Sequence, residues 1–171
     1  MPRIHHVKKA AKDNSVCKKG ESYYWWCTRI TSGKSYIKRK HLSKNPPRQS
    51  QLTSSPFLQS LLAIQENISD AKPQSLGELL EMRDDWVNDI NELRDETQEK
   101  LDNMPDGLRE SDSGQVLQER VDALESWASD IENADIPNEE DVDAVSPDDD
   151  DPIADAIQTA LEELQSLEPG I

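Results

Sequence analysis

Beyond residue 55 the apolar residues recur at helical spacing, whereas strand-like alternation is confined to the start of the chain. Ser22-Tyr23-Tyr24-Trp25-Trp26-Cys27-Thr28-Arg29-Ile30 is dense in aromatic and β-branched residues, which favour a pleated strand. Thr31-Ser32-Gly33-Lys34 supplies a turn and Ser35-Tyr36-Ile37-Lys38-Arg39-Lys40 a second strand, so residues 21–48 read as a small β-hairpin head. Alternation puts Tyr23, Trp25, Cys27 and Arg29 on one face and Tyr24, Trp26, Thr28 and Ile30 on the other. A lone hairpin is marginal in water. It therefore calls for a third strand, drawn from residues 14–18, or for a partner.

Asn45-Pro46-Pro47-Arg48 breaks the strand pattern, and residues 49–74 read as a linker followed by a short helix. That helix opens at Ser55-Pro56, a cap followed by proline at the first helical position. Phe57, Leu58, Leu61, Leu62, Ile64 and Ile68 give it one apolar face, and it ends before Pro73. A longer helix begins at Ser75-Leu76-Gly77-Glu78, with capping-box spacing. Leu79, Trp86 and Leu93 lie seven apart on it, with Ile90, Thr97 and Met104 on the neighbouring row, until Met104-Pro105-Asp106-Gly107 stops it.

The next helix has Asp112 and Gln115 as its cap pair. Leu117, Leu124 and Ile131 lie at sevens on it, interleaved with Val121 and Ala128. Two heptad-like seams joined by a short connection predict an antiparallel, coiled-coil-like helical hairpin over residues 75–134. Trp86 and Trp127 sit on the seams, where packing is the ordinary role of an aromatic. Residues 135–151 form an acidic spacer ending in Asp148-Asp149-Asp150-Asp151, and residues 152–171 an amphipathic helix capped by Asp151-Pro152, whose apolar face must bury against the helical hairpin, a second copy of the chain or a foreign groove. The fold class is thus mainly α, with extra amphipathic helices beside the helical hairpin and a small N-terminal β-hairpin. Leu79, Trp86, Leu93, Leu117, Leu124, Trp127, Ile157, Leu161 and Leu164 are the apolar side chains expected to meet a partner protein or a second copy of the chain.

Charge divides the 171 residues more sharply than hydropathy does. The whole chain carries 19 basic and 35 acidic residues, a net charge of −16. Residues 1–50 hold 13 basic residues against the acids Asp13 and Glu21, a balance of +11, so the rest stands at −27. A basic, aromatic head suits a polyanion that an acidic body would repel. Such opposite charges also make head and body candidates for binding each other. Residues 1–20 lack apolar periodicity and read as a basic arm, flexible unless bound. With 34% hydrophobic residues and few aromatics and glycines, the composition argues against a large enzyme core. No apolar run is long enough for a membrane span or a signal peptide, so a cytoplasmic location with Cys17 and Cys27 as free thiols is expected.

Catalytic constellations are missing from the sequence. His5, His6 and His41 all fall in or beside the head, and no Gly-rich phosphate loop, His-Glu-x-x-His or Gly-x-Ser-x-Gly occurs. Cys17, Cys27, His41 and His5 or His6 are ligand types for zinc, but lack the closely spaced pairs of a zinc knuckle. Asp141-Val142-Asp143 lacks the glycine and terminal glutamate of a calcium loop. Neither an enzyme nor a metal or cofactor site is expected.

What the head can do is recognise. Lysine and arginine neutralise phosphates, and exposed aromatic rings stack unpaired bases. Lys18, Lys19, Tyr24, Trp26, Arg29, Lys34, Tyr36, Lys38, Arg39 and Lys40 are the candidate contacts to DNA or RNA, within residues 1–48. The run from Tyr23 to Lys38, an aromatic strand, a Gly-Lys turn and a basic strand, resembles the arm-type DNA-binding domain of phage integrases. That likeness implies a small sheet entering a DNA groove. Here Pro46-Pro47 stands where the family has a helix and no recombinase domain follows, so recombination is not implied. More broadly, Val7-Lys8-Lys9 through Tyr23-Tyr24-Trp25-Trp26 to Pro46-Pro47-Arg48-Gln49-Ser50-Gln51-Leu52-Thr53 looks like small proteins of uncharacterised function from tailed bacteriophages. It implies action in the host cytoplasm or association with the virion. The competing expectation is an assembly protein whose head is only a folding element and which binds no nucleic acid.

Overall fold

The computed structural model describes residues 2–32, 35–137, 142 and 152–171, and the chain divides into two compact units, residues 1–63 and 64–171. It is mainly helical with a small N-terminal sheet. Among the described residues the elements are β1 (His5–Val7), β2 (Tyr23–Ser32), β3 (Ser35–Ser43), a 3-10 turn (Ser50–Leu52), α1 (Pro56–Ser69), α2 (Leu76–Asp102), α3 (Asp106–Arg109), α4 (Asp112–Glu132) and α5 (Pro152–Ser166).

In the N-terminal unit β2 is the central strand of an antiparallel sheet, ordered β1-β2-β3. The third strand is therefore His5–Val7, not residues 14–18. His5 pairs with Trp25, His6 with Tyr24 and Val7 with Tyr23. Ring stacking fastens this short strand: His5 lies 4.0 Å from Trp25 and His6 lies 4.4 Å from Tyr24, both nearly parallel. The expected basic arm is thus built into the fold. Residues 8–22 form a closed loop in which Ala10 N–H donates to the Glu21 carbonyl and Gly20 N–H to the Ala10 carbonyl. Gly20 has φ +93°, a conformation that favours glycine. Inside the loop the Asn14 side chain accepts from the N–H groups of Val16 and Cys17, an Asx turn. Ala10, Cys17, Trp26, Phe57 and Leu61 are the buried apolar side chains among the described residues of the N-terminal unit.

In the C-terminal unit α2 and α4 pack together, and residues 103–111 leave room only for a return in the opposite direction. Ser75 caps α2 by accepting from Glu78 N–H, while the Glu78 carboxylate accepts from Gln74 N–H, one residue beyond the usual capping box. Between the long helices lies the single-turn α3, where the sequence predicts only a polar turn. The residue before α4 is Ser111, so Asp112 falls in its first turn and not at its cap. The expected Asp151 cap and most of the acidic spacer lie outside the described residues.

The seam residues assigned to a partner are consumed within one chain. Leu79, Trp86, Leu93, Leu124, Trp127, Ile157, Leu161 and Leu164 are all buried, and Leu117 is half-buried. α5 packs on α2, and the Trp127 indole N–H donates to the Leu167 carbonyl at 3.1 Å. Gln165 donates from its side-chain amide to the carbonyls of Ile68 and Ser69, which have no helical partner at the end of α1. Burying a leucine, valine or isoleucine side chain is worth about 1.5–3 kcal/mol, so this three-helix core is the unit's main source of stability.

Gly114, in the first turn of α4, is buried because α3 approaches it closely. A methyl group there would run into the Arg109 carbonyl oxygen, a backbone atom that cannot swing away. Gly114→Ala is expected to destabilise the C-terminal unit by about 1–3 kcal/mol, the usual cost of overpacking, despite alanine's better helix propensity. Chemical denaturation monitored by helical circular dichroism checks this; an unchanged or higher midpoint would contradict it.

Candidate nucleic-acid interface

The sheet register decides which side chains act together, because cross-strand partners share a face. Trp25 is opposite Leu42, Cys27 opposite Lys40 and Arg29 opposite Lys38, so these six residues share one face with His5. Trp26 is opposite His41 and Thr28 opposite Arg39 on the other. No aspartate or glutamate occurs between residues 22 and 65. The strands β2 and β3 therefore carry cations with no carboxylate of their own.

The second face belongs to the interior. Trp26 is 3% exposed, stacks 5.3 Å from His41, and donates its indole N–H to the Gln51 carbonyl at 3.0 Å. Thr28 is buried with its hydroxyl 2.8 Å from His41 Nε2. Trp26 thus leaves no ring surface for a base, which corrects its assignment as a stacking residue. Tyr24, also on this face, is half-buried with His6 stacked on it. Arg39 is exposed there, turned away from the other basic residues of β3.

The first face alternates cations and rings. Lys40 Nζ lies 4.9 Å from the Trp25 ring centre, and Arg29 and Lys38 lie 5.4 and 6.0 Å from that of Tyr36, which is 57% exposed. Each such contact is worth about 0.5–1 kcal/mol at an exposed site. Arg29, Lys38 and Lys40 are themselves exposed. His5, Trp25, Cys27, Arg29 and Lys38 also line a cleft of about 900 Å³ within the N-terminal unit.

Lys18 and Lys19 are exposed on the loop of residues 8–22, their backbone N–H groups donating to Glu21 and Asp13. The Glu21 carboxyl is held below its ordinary range, first by that Lys18 N–H and then by the charge of Lys44, 3.5 Å away. Its hold on the loop is present above the ordinary carboxylate range and is lost as pH falls through the lowered value. Lys34 lies outside the described residues.

Sequence reasoning set Tyr24 and Trp26 beside the cations, whereas the register sets Trp25, His5 and Cys27 on the face of Arg29, Lys38 and Lys40. The signal was available: the turn expected at Thr31-Ser32-Gly33-Lys34 places Lys38 and Lys40 on the Trp25 face, and cations mark the face that is not core. Among the described residues no group of three or more His, Cys, Asp or Glu side chains is arranged to hold a metal ion, and no helix is long and apolar enough to cross a membrane. No protein-family model, curated protein or solved structure matches the chain.

Proposed function

We propose that the protein is a non-enzymatic, phage-type binding protein whose N-terminal unit contacts nucleic acid through the Trp25–Arg29–Tyr36–Lys38–Lys40 face. Its helical unit serves association with a partner or with further copies of the chain. The observation that carries the reading is the interleaving of cations with two rings, Tyr36 exposed and Trp25 half-buried, on one sheet face whose strands lack carboxylates. Phosphates draw Arg29, Lys38 and Lys40 outward, and removal of Lys40 from above Trp25 uncovers the part of that ring on which His5 is not stacked. Neutralisation and stacking thereby reinforce each other. With its apolar seams used internally, the helical unit offers its partner an acidic exterior. In the phage-type reading the protein works in the host cytoplasm or travels with the virion.

Tryptophan fluorescence of the full chain, titrated with single-stranded and duplex DNA or RNA at two salt concentrations, tests the reading. A saturable change that weakens with salt and disappears in Trp25→Phe, but persists in Trp86→Phe, is expected. No binding at low salt would refute it and favour an assembly protein with a structural head.

A further inference from the structure

We infer that the cleft beside the sheet is a pocket for one unpaired nucleotide, so that the ligand is single-stranded nucleic acid; this rests on the nucleic-acid reading above. The volume of about 900 Å³ falls within the roughly 300–1,000 Å³ of small-molecule sites. Its lining sorts into the parts a nucleotide requires. Arg3, Arg29 and Lys38 supply positive charge for a phosphate, and the lining contains no carboxylate. Leu52, Leu58 and Leu62, from the segment between β3 and α1 and from α1 itself, give an apolar wall suited to the face of a base. Leu58 is 37% exposed despite its place on the apolar stripe of α1, surface that an inserted ring would cover. Thr53 and Ser54 add hydroxyls that can donate or accept at the base edge.

A cationic sheet alone would serve duplex and single strand alike. A recess with an apolar wall would not, because duplex bases are stacked inward and must be flipped out at a cost of a few kcal/mol to enter it. The pocket therefore separates single strands from duplexes, and the open face supplies the sequence-independent phosphate contacts on either side.

Cys27 gives a reporter inside the cleft. It is half-buried and lines the pocket, whereas Cys17 is buried and accepts a hydrogen bond from the Asn14 side-chain amide. In the native full chain, N-ethylmaleimide is expected to modify Cys27, and saturating oligothymidylate to abolish that modification. A duplex of equal length and an abasic single strand should leave Cys27 reactive even where they bind. Leu58→Trp, which fills the cleft from an exposed position, is expected to lower the ratio of single-strand to duplex affinity about tenfold, the scale of one lost base stack. Binding of single strand and duplex with equal affinity and no protection of Cys27 overturns the pocket while leaving the phosphate-binding face intact. Failure of every oligonucleotide to bind at low salt overturns both.

Discussion

Replacing Arg29, Lys38 and Lys40 together by alanine is expected to weaken binding of a single-stranded oligonucleotide on the order of 10²–10³-fold at low salt. The slope of log K against log salt should flatten by about 2, because each neutralised phosphate on a single strand contributes roughly 0.7. All three side chains are exposed, so the fold should survive, and the circular dichroism spectrum should be unchanged. Arg39→Ala is the comparison that separates geometry from bulk charge, since Arg39 stands on the opposite face, across from Thr28. It should cost far less affinity per charge removed than the triple variant. Equal losses per charge, with the same slope change for each, would reduce the N-terminal unit to a diffuse cation and remove the argument for an organised face. Lys40 has a second diagnostic. Lys40→Ala alone uncovers Trp25, so the free protein's fluorescence should change even before ligand is added.

Local signals were legible in the sequence wherever the chain satisfies its own backbone. Ser75 and Glu78 announce the start of α2, and Glu78 N–H does donate to Ser75. The spacing of Leu79, Trp86 and Leu93, and of Leu117, Val121, Leu124, Ala128 and Ile131, gave apolar stripes, and all of these residues are buried except Leu117, which is half-buried. What periodicity does not reveal is the body against which a stripe is buried. The same seven-residue spacing serves a coiled-coil dimer and an intrachain core, and here α5 and the chain end complete the core. β1 was illegible for a different reason. His5-His6-Val7 is too short and polar to show alternation, and its pairing depends on ring stacking with Trp25 and Tyr24 some twenty positions away in sequence. The loop that carries it back is specified by Asp13, Asn14 and Gly20, residues whose meaning as turn formers emerges only with the hydrogen bonds they make.

The candidate site shows the same division. Composition found the head, and alternation found its two faces. The position of the turn already implies that β3 brings Lys38 and Lys40 beside Arg29 and Trp25, whereas the Gln51 carbonyl, which captures the Trp26 indole, has no local sequence signal. Two adjacent tryptophans thus have opposite fates. Trp26 fixes the sheet in its unit, and Trp25 remains near the cations.

Trp127→Ala is expected to produce the largest loss of stability, about 3–5 kcal/mol for truncating a fully buried tryptophan. That corresponds to roughly 12 °C or more in melting temperature for a unit of this size. The residue is 1% exposed, and its N–H satisfies the Leu167 carbonyl just past the end of α5. Trp127→Phe keeps most of the apolar bulk but loses the hydrogen bond to that half-buried carbonyl, so about 0.5–1.5 kcal/mol of the loss should persist on that account. The dependence on concentration decides where the seam is buried. An intermolecular seam ties stability to association, and the melting temperature then rises with protein concentration. A seam buried within one chain gives a shift on Trp127→Ala that is the same at every concentration, with no change in molecular mass by light scattering. A variant that dissociates a larger species while the dilute protein melts as before would return Leu124 and Trp127 to the role of a contact between copies.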